Sequence, residues 1–498
     1  MRRPSPLPEI AALLALTALF ALANPSRAAS EPFPLLPHLV RHPCVIPLSL
    51  SIQTHFPLQM THGAVLPARV VSPAPQRPPV TISPMDPLLA WRKEFPILAN
   101  TIYMVSHSLG AMPRRAKDRL AEYTDIWATR GVRAWHEGWW ELPITTGDIL
   151  ARILGAGPGE IAMQPNVSIA QAIIHSCLDF PQSAQAAARD TLISETRSPA
   201  QGQRSVVREF PKTRNRIVTD ALNFPTNHYL FHALEPLGAE VVTVPSRDGL
   251  TIALDDLLAS IDERTRLVNV SHVLFRSSYL QDLAAIAARA HEVGAFIAAD
   301  LYQSAGTVPI NLRELGLDFA TGGSVKWLCG GPGAGYLYVR RDLWPTLEPK
   351  LTGWMAHEQP FAFEPGPQRY APDAFRFLHG TPNIPGLYAA RSGYEIIEEA
   401  GVPAIRAKSI RQTGRLIELA REAGLAVNSP LAPAQRGGVV TLDVPDGQNV
   451  VDELSRREIL VDYRPGSGIR VAPHFYTEDM ELDATIAAIR ELVPVRAL

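Results

Sequence analysis

Cysteine is scarce in this sequence: Cys44, Cys177 and Cys329 are the only three in 498 residues. An odd number of widely separated thiols implies neither a disulfide framework nor a structural zinc site, and no metal is expected. Such usage suits a reducing compartment without requiring one. Net charge is also small. The formal balance is -2, with 19% charged residues, so the basic footprint of a nucleic-acid binder is missing. Long apolar runs are missing as well, because the stretch 11–23 is too short to cross a bilayer. What is present is 46% hydrophobic residues in a long chain, enough for two or three domains around a large core.

Proline is plentiful but unevenly placed. Residues 1–84 hold many prolines and show neither helical nor strand periodicity after the apolar stretch, ending in Val71-Ser-Pro-Ala-Pro-Gln-Arg-Pro-Pro79. This segment is expected to be non-globular. Arg2 and Arg3 before the apolar stretch, with Ala28-Ala29 beyond it, fit an export signal followed by a linker. The other reading is upstream translation with Met85 as the true start, because the character of the chain changes there. The second reading predicts a cytoplasmic protein, the first an exported one.

From Met85 onward strand and helix patterns alternate. Helices are expected over 112–128, 146–154, 166–177 and 280–291. Strands are expected over 161–163, 217–219, 241–244, 267–270, 296–299 and 336–339. This order predicts an α/β fold with a mostly parallel sheet covered by helices. Ligands in such folds sit beyond the carboxyl ends of the strands. Asn223, His272 and Asp300 all follow strand signals and should converge there. A smaller α/β unit is expected from 385 to 498, leaving 85–384 as an N-terminal arm and large domain. Its helices are expected over 387–399, 404–423, 450–458 and from about 479, with strands over 438–443, 460–463 and 469–472.

Within this frame stands Gly322-Gly-Ser-Val-Lys-Trp-Leu-Cys-Gly-Gly-Pro-Gly333, with Asp300 closing the apolar run 26 residues before Lys326. Together with Ser108-Leu-Gly110, Phe224-Pro-Thr226, Leu351-Thr-Gly-Trp-Met-Ala-His357 and Gly380-Thr381, the chain resembles the kynureninases, within the aminotransferase class V group of fold type I pyridoxal phosphate enzymes. The resemblance covers nearly everything from Met85 onward. It implies a large pyridoxal-phosphate-binding domain, a small C-terminal domain and a homodimer acting on a small amino-acid substrate. Lys326 would hold the cofactor as a Schiff base and then move protons, while Asp300 would keep the pyridine nitrogen protonated. Phe224 resembles the residue that stacks on the cofactor ring. Gln303 resembles the side chain beside its phenolic oxygen or phosphate, and His272 is taken with the cofactor-binding group. Asn166, Val167 and Ser168 stand at a helix start suited to the phosphate, though an ordinary N-cap would look the same. Ser324 could add a phosphate contact, and Thr381 resembles the contact supplied by a neighbouring subunit. Arg470 matches the arginine that grips the substrate carboxylate, with Arg464 as the alternative. Trp354 and His357 resemble residues near the substrate ring. Trp135 and His136, beside Trp139 and Trp140, would line the same pocket or pack a domain edge.

Three positions depart from the family pattern. Val325 stands where kynureninases have tyrosine, Asn227 where they have aspartate, and Gln303 where they have histidine. Valine can neither contact a phosphate nor assist a proton. Against a desulfurase, no cysteine lies in an obvious mobile loop: Cys329 adjoins Lys326, and Cys177 sits on an apolar helix. The expected activity is hydrolysis of the β–γ carbon–carbon bond of a γ-keto amino acid. Elimination, transamination, cysteine-independent desulfuration and epimerisation stay open, as does a non-enzymatic protein that kept the fold.

Overall fold

A computed structural model of the chain describes residues 86–180 and 214–493. The expectations for residues 1–84 lie outside them. Among the described residues a seven-stranded sheet has the order β2-β8-β7-β6-β5-β3-β4. Its strands are β2 (Ile161–Gln164), β3 (Arg216–Asp220), β4 (Glu240–Val244), β5 (Thr265–Ser271), β6 (Phe296–Asp300), β7 (Phe319–Gly323) and β8 (Gly335–Val339). β8 pairs antiparallel with both β2 and β7, and every other pairing is parallel. Every residue of β5 and β6 is buried, as expected of parallel strands covered on both faces. β7 lacks a clear sequence signal, because Phe-Ala-Thr-Gly-Gly is short and ends in two glycines. Among the described residues no helix is long and apolar enough to cross a membrane.

The crossover helices include α3 (Val167–Ser176), α4 (Pro225–His232), α5 (Leu254–Ala259) and α6 (Leu283–Glu292); α1 (Arg114–Arg130) and α2 (Leu142–Leu154) precede them. α6 begins three residues later than expected, where the Asp282 side chain accepts from the Ala285 N–H and fixes the N-cap. α7 (Ile384–Ala400) opens at the expected boundary near 385. Its buried Leu387, Tyr394 and Ile397 nevertheless belong to the same core as Val268 and Ile297 of the large sheet.

The C-terminal part has its own core, where Leu416, Val440, Leu454, Ile469 and Ile486 meet. Its four-stranded antiparallel sheet has the order β12-β13-β10-β9. Those strands are β9 (Ala426–Val427), β10 (Val440–Asp443), β12 (Asp462–Arg464) and β13 (Gly468–Val471). Helices α8 (Val402–Glu422), α9 (Gly447–Arg456) and α10 (Asp479–Leu492) complete it. The strand expected over 460–463 is broken in two. Ile459–Leu460 (β11) pairs in parallel with Ile102–Tyr103 (β1), and the chain then joins the small sheet at Asp462. This pairing ties the arm to the small sheet and carries His107 towards Asp462.

Candidate active site

Lys326 lies in the link between antiparallel neighbours β7 and β8. The link is closed at its base by the Ser324 N–H donating to the Ala334 carbonyl at 3.0 Å, and inside by Cys329 N–H to Lys326 O at 3.0 Å. Two glycines from elsewhere let it lie deep. Gly110 donates its N–H to Val325 O at 2.7 Å, and a Cβ at 110 would fall 2.2 Å from the Lys326 carbonyl. A Cβ at Gly393, on α7, would fall 2.2 Å from the Leu328 carbonyl. Trp327 is 1% exposed, and its indole N–H donates to Gln303 Oε1 at 3.1 Å.

A cavity of about 250 Å³ opens beside this link, at the carboxyl edge of the large sheet. Lys326, Asp300 and Gln303 line one part of it, Phe224 and Thr226 another, and Asn166, Val167 and Ser168 a third. The convergence follows from topology, since β5, β6 and β7 run parallel and end together, with Ser271 in register with Asp300 and Asp300 with Thr321. Burial lowers the Lys326 amine to about 8 against the pull of Asp300, and Arg470 and Arg464 add to the lowering. Its Nζ lies 4.3 Å from the centroid of the Tyr302 ring and 5.7 Å from that of Phe224.

Asp300 is 4% exposed. One oxygen accepts from the Tyr302 N–H at 2.8 Å, and the other has a long contact of 3.4 Å from the Asn227 amide. Burial raises its pKa. A buried carboxylate this thinly partnered is costly unless a cation completes it, and a protonated pyridine nitrogen has the required chemistry. Asn227 is fixed by its amide donating to Asn223 Oδ1 at 2.9 Å. Asn223 Oδ1 also takes the Ser271 hydroxyl at 2.8 Å. At the start of α3 the Asn166 side chain accepts from the Ile169 N–H. The Val167 and Ser168 N–H groups precede the first intrahelical bonds, a natural anion site. The cavity therefore suits a flat ring carrying a basic nitrogen, an aldehyde and a phosphate.

Arg470 is 2% exposed and sits on β13. Its Nε donates to Asp462 Oδ1 at 2.8 Å and Nη2 to Asp462 Oδ2, while Nη1 donates to the Phe275 carbonyl at 2.7 Å. These partners use three of its five donors, and neither Arg470 nor Arg464 lines the lysine cavity itself. His107 Nε2 lies 2.9 Å from Asp462 Oδ1. Burial, with Arg470 adding, lowers His107 to about 4 despite Asp462, so the ring is neutral at neutral pH and donates from Nε2. Burial would raise Asp462; hydrogen bonds from His107 and Arg470 outweigh that and hold it well below the usual carboxylate range. Arg464 is half exposed, with Nη2 3.2 Å from Asp462.

Several expected residues fall elsewhere. His272 is buried, but the wall is made by its neighbours Ser271 and Val273, and strand alternation turns the imidazole away. There burial, with Arg406 adding, lowers it to about 4. The Ser324 hydroxyl is used by the Ala334 carbonyl and the Tyr394 hydroxyl. Thr381 is exposed and lines a separate groove with Trp127, Trp135 and Trp139. Trp354 packs on Trp140 at 5.2 Å and Phe361 at 5.9 Å. His357 Nδ1 accepts from the Gln359 N–H, and the His136 ring lies against Phe361. None of these lines the lysine cavity. Gln303 does, with its amide also donating to the His107 carbonyl at 3.1 Å. Sequence reasoning missed Tyr302, Phe275, His107 and Asp462. Tyr302 had a signal in its place between Asp300 and Gln303, whereas the His107–Asp462 pairing spans 355 residues and had none.

Comparison with known proteins gives the family and the fold. The aminotransferase class-V family model matches residues 196–486. A kynureninase from Pseudomonas fluorescens is 31% identical over 77% of this chain and 87% of its own length. One from Burkholderia pseudomallei is 30% identical over 83% and 94%. Among solved structures, an apo cysteine desulfurase from Thermococcus onnurineus has a TM-score of 0.69 at 22% identity, covering 82% of this chain and 99% of its own. A C-DES mutant with glycine covalently linked to its PLP cofactor also reaches 0.69, at 20% identity over 80% and 99%. At those identities the structural matches speak for the fold. With a cavity that suits pyridoxal phosphate and relatives of this extent, the chain belongs to the aminotransferase class-V family, as a kynureninase-like enzyme dependent on pyridoxal phosphate.

Proposed function

We propose that the chain is a kynureninase-like hydrolase. It would cleave the β–γ carbon–carbon bond of a γ-keto amino acid, with water supplying OH to the acyl carbon and hydrogen to the β carbon, to give a carboxylic acid and alanine. The observation that carries this reading is the Lys326 amine, lowered to about 8 and turned into a cavity that also holds the buried Asp300. Pyridoxal phosphate, when bound, supplies the aldehyde that takes up the substrate amine and the conjugated ring that accepts the electron pair. Lys326 holds the cofactor at rest and then takes the α proton at Nζ. Asp300 would keep the ring nitrogen protonated, and Phe224 and Gln303 would contact the ring from their places in the cavity wall. Asn166, Val167 and Ser168 receive the phosphate. Arg470, with its two remaining donors, holds the substrate carboxylate, and Arg464 stands next to it as the alternative.

Preference for a hydrolase over a cysteine-dependent desulfurase is supported by the two thiols among the described residues. Cys177 and Cys329 are both buried, and burial raises both, so neither is a ready thiolate. The neighbouring-subunit role also belongs to this proposal. Thr381, Trp135, Trp354 and His357 lie outside the cavity of their own chain and would serve the other site of a homodimer. Val325, Asn227 and Gln303 support a second reading: another class V reaction, namely elimination, transamination, cysteine-independent desulfuration or epimerisation.

The test is incubation of holoenzyme with L-kynurenine. Alanine and anthranilate in equal amounts, identified by mass, are the expected result. A keto acid, or α-proton exchange without either product, would instead establish the second reading.

A further inference from the structure

Tyr302 lines the lysine cavity but takes no part in the steps proposed for the reaction. It sits two residues after Asp300, and its N–H bond to Asp300 Oδ1 ties its backbone to that carboxylate. Its ring face is turned to the Lys326 amine, as is that of Phe224. A planar group attached at that amine would have both aromatic faces within reach.

The ring is also held from behind. Gly323 ends β7, and a Cβ at that position would fall 2.6 Å from both Cζ and Oη of Tyr302. The missing side chain makes the space that the phenol fills, so the position of the ring is set by the strand that leads into Lys326. We propose that Tyr302 is the second aromatic wall of the cofactor site, holding the flat ring of pyridoxal phosphate between its own face and that of Phe224. This rests on the reading that the cofactor joins Lys326. The ring face is the working part. Burial, with Asp300 adding, raises the phenol to about 12, so it stays neutral and is a poor proton carrier at neutral pH.

The experiment compares Tyr302→Phe, Tyr302→Leu and Tyr302→Ala as full chains. Pyridoxal phosphate affinity is measured by absorbance titration of the apoprotein, with the apo melting temperature as a folding check. Borohydride reduction followed by peptide mapping locates the fixed pyridoxyl group. Tyr302→Phe should bind within about twofold of the parent, whereas the Leu and Ala variants should each bind roughly threefold to tenfold more weakly, the worth of an aromatic pair. Leu keeps apolar bulk, so binding as tight as the parent's in that variant would overturn the proposal. So would a Phe variant as weak as Leu, which would assign the role to the hydroxyl. A pyridoxyl group fixed on a lysine other than Lys326 would overturn the site reading and this proposal with it.

Discussion

Two regions of this molecule use aromatic residues in opposite ways. Beside the lysine, Tyr302, Phe224 and Phe275 wall a cavity of about 250 Å³, with Phe224 and Phe275 edge to face at 5.3 Å. Around 354–363, Trp354, Phe361 and Phe363 pack on one another and on Trp140. Even so, Trp354 is 41%, Phe361 55% and Phe363 72% exposed. The first group closes a site within one chain. The second is a clustered apolar surface of the sort that marks an interaction face. The residues expected around the cofactor fall mostly in the first region; Trp354 and His357, expected near the substrate ring, fall in the second, and Trp135 lies in a separate groove. The lysine cavity of one chain thus gathers the residues read as holding the cofactor, while Trp354 and His357 lie outside it.

Lys326→Ala should separate the regions most sharply. Loss of turnover on the order of 10³-fold is expected, with self-association unchanged by sedimentation. Arg470→Gln should raise KM for the amino acid by roughly 10- to 100-fold, the value of hydrogen bonds to a charged group, with a smaller change in kcat. An unchanged KM would move the carboxylate contact to Arg464. On the exposed side, the Phe361→Ser/Phe363→Ser pair should weaken self-association by about tenfold. Cofactor affinity should be kept while turnover falls with the share of monomer, and a monomer that turns substrate over as fast as the parent would break the comparison. The smallest effect is one of pH. Capture of an aldehyde needs the neutral amine, and a pKa of about 8 makes the initial capture rate rise about fivefold from pH 7 to pH 8. Stopped-flow absorbance reads this directly, and a flat profile would show that Lys326 is not the group being titrated.

Much of the cofactor side was legible in the sequence because its signals are local. Asp300 ends an apolar strand, Lys326 sits among glycines, and Asn166 opens a helix, so each could be placed by its own neighbours. His272 misled because adjacent residues at a strand end face opposite ways, and following a strand does not decide which way. Ser324 misled for a different reason: its hydroxyl is taken by Tyr394, 70 residues away. The Asp462 network depends on β1 pairing with β11, a contact that no local period announces. Trp135 was read as joining Trp354 in one pocket or packing a domain edge, and Thr381 as a contact from a neighbouring subunit, but sequence does not say whose pocket a surface residue serves.

The closed link between β7 and β8 has a consequence for how such a protein changes occupation. Its reactive amine hangs from two adjacent strands and is wedged by Gly110 and Gly393, so alterations there risk the cofactor itself. Phe275, Thr226 and Arg464 belong to other segments and can vary while the anchor stays fixed. A scaffold divided in this way can acquire a new diet without rebuilding its hearth, and substitutions such as Val325 and Asn227 mark where the two meet.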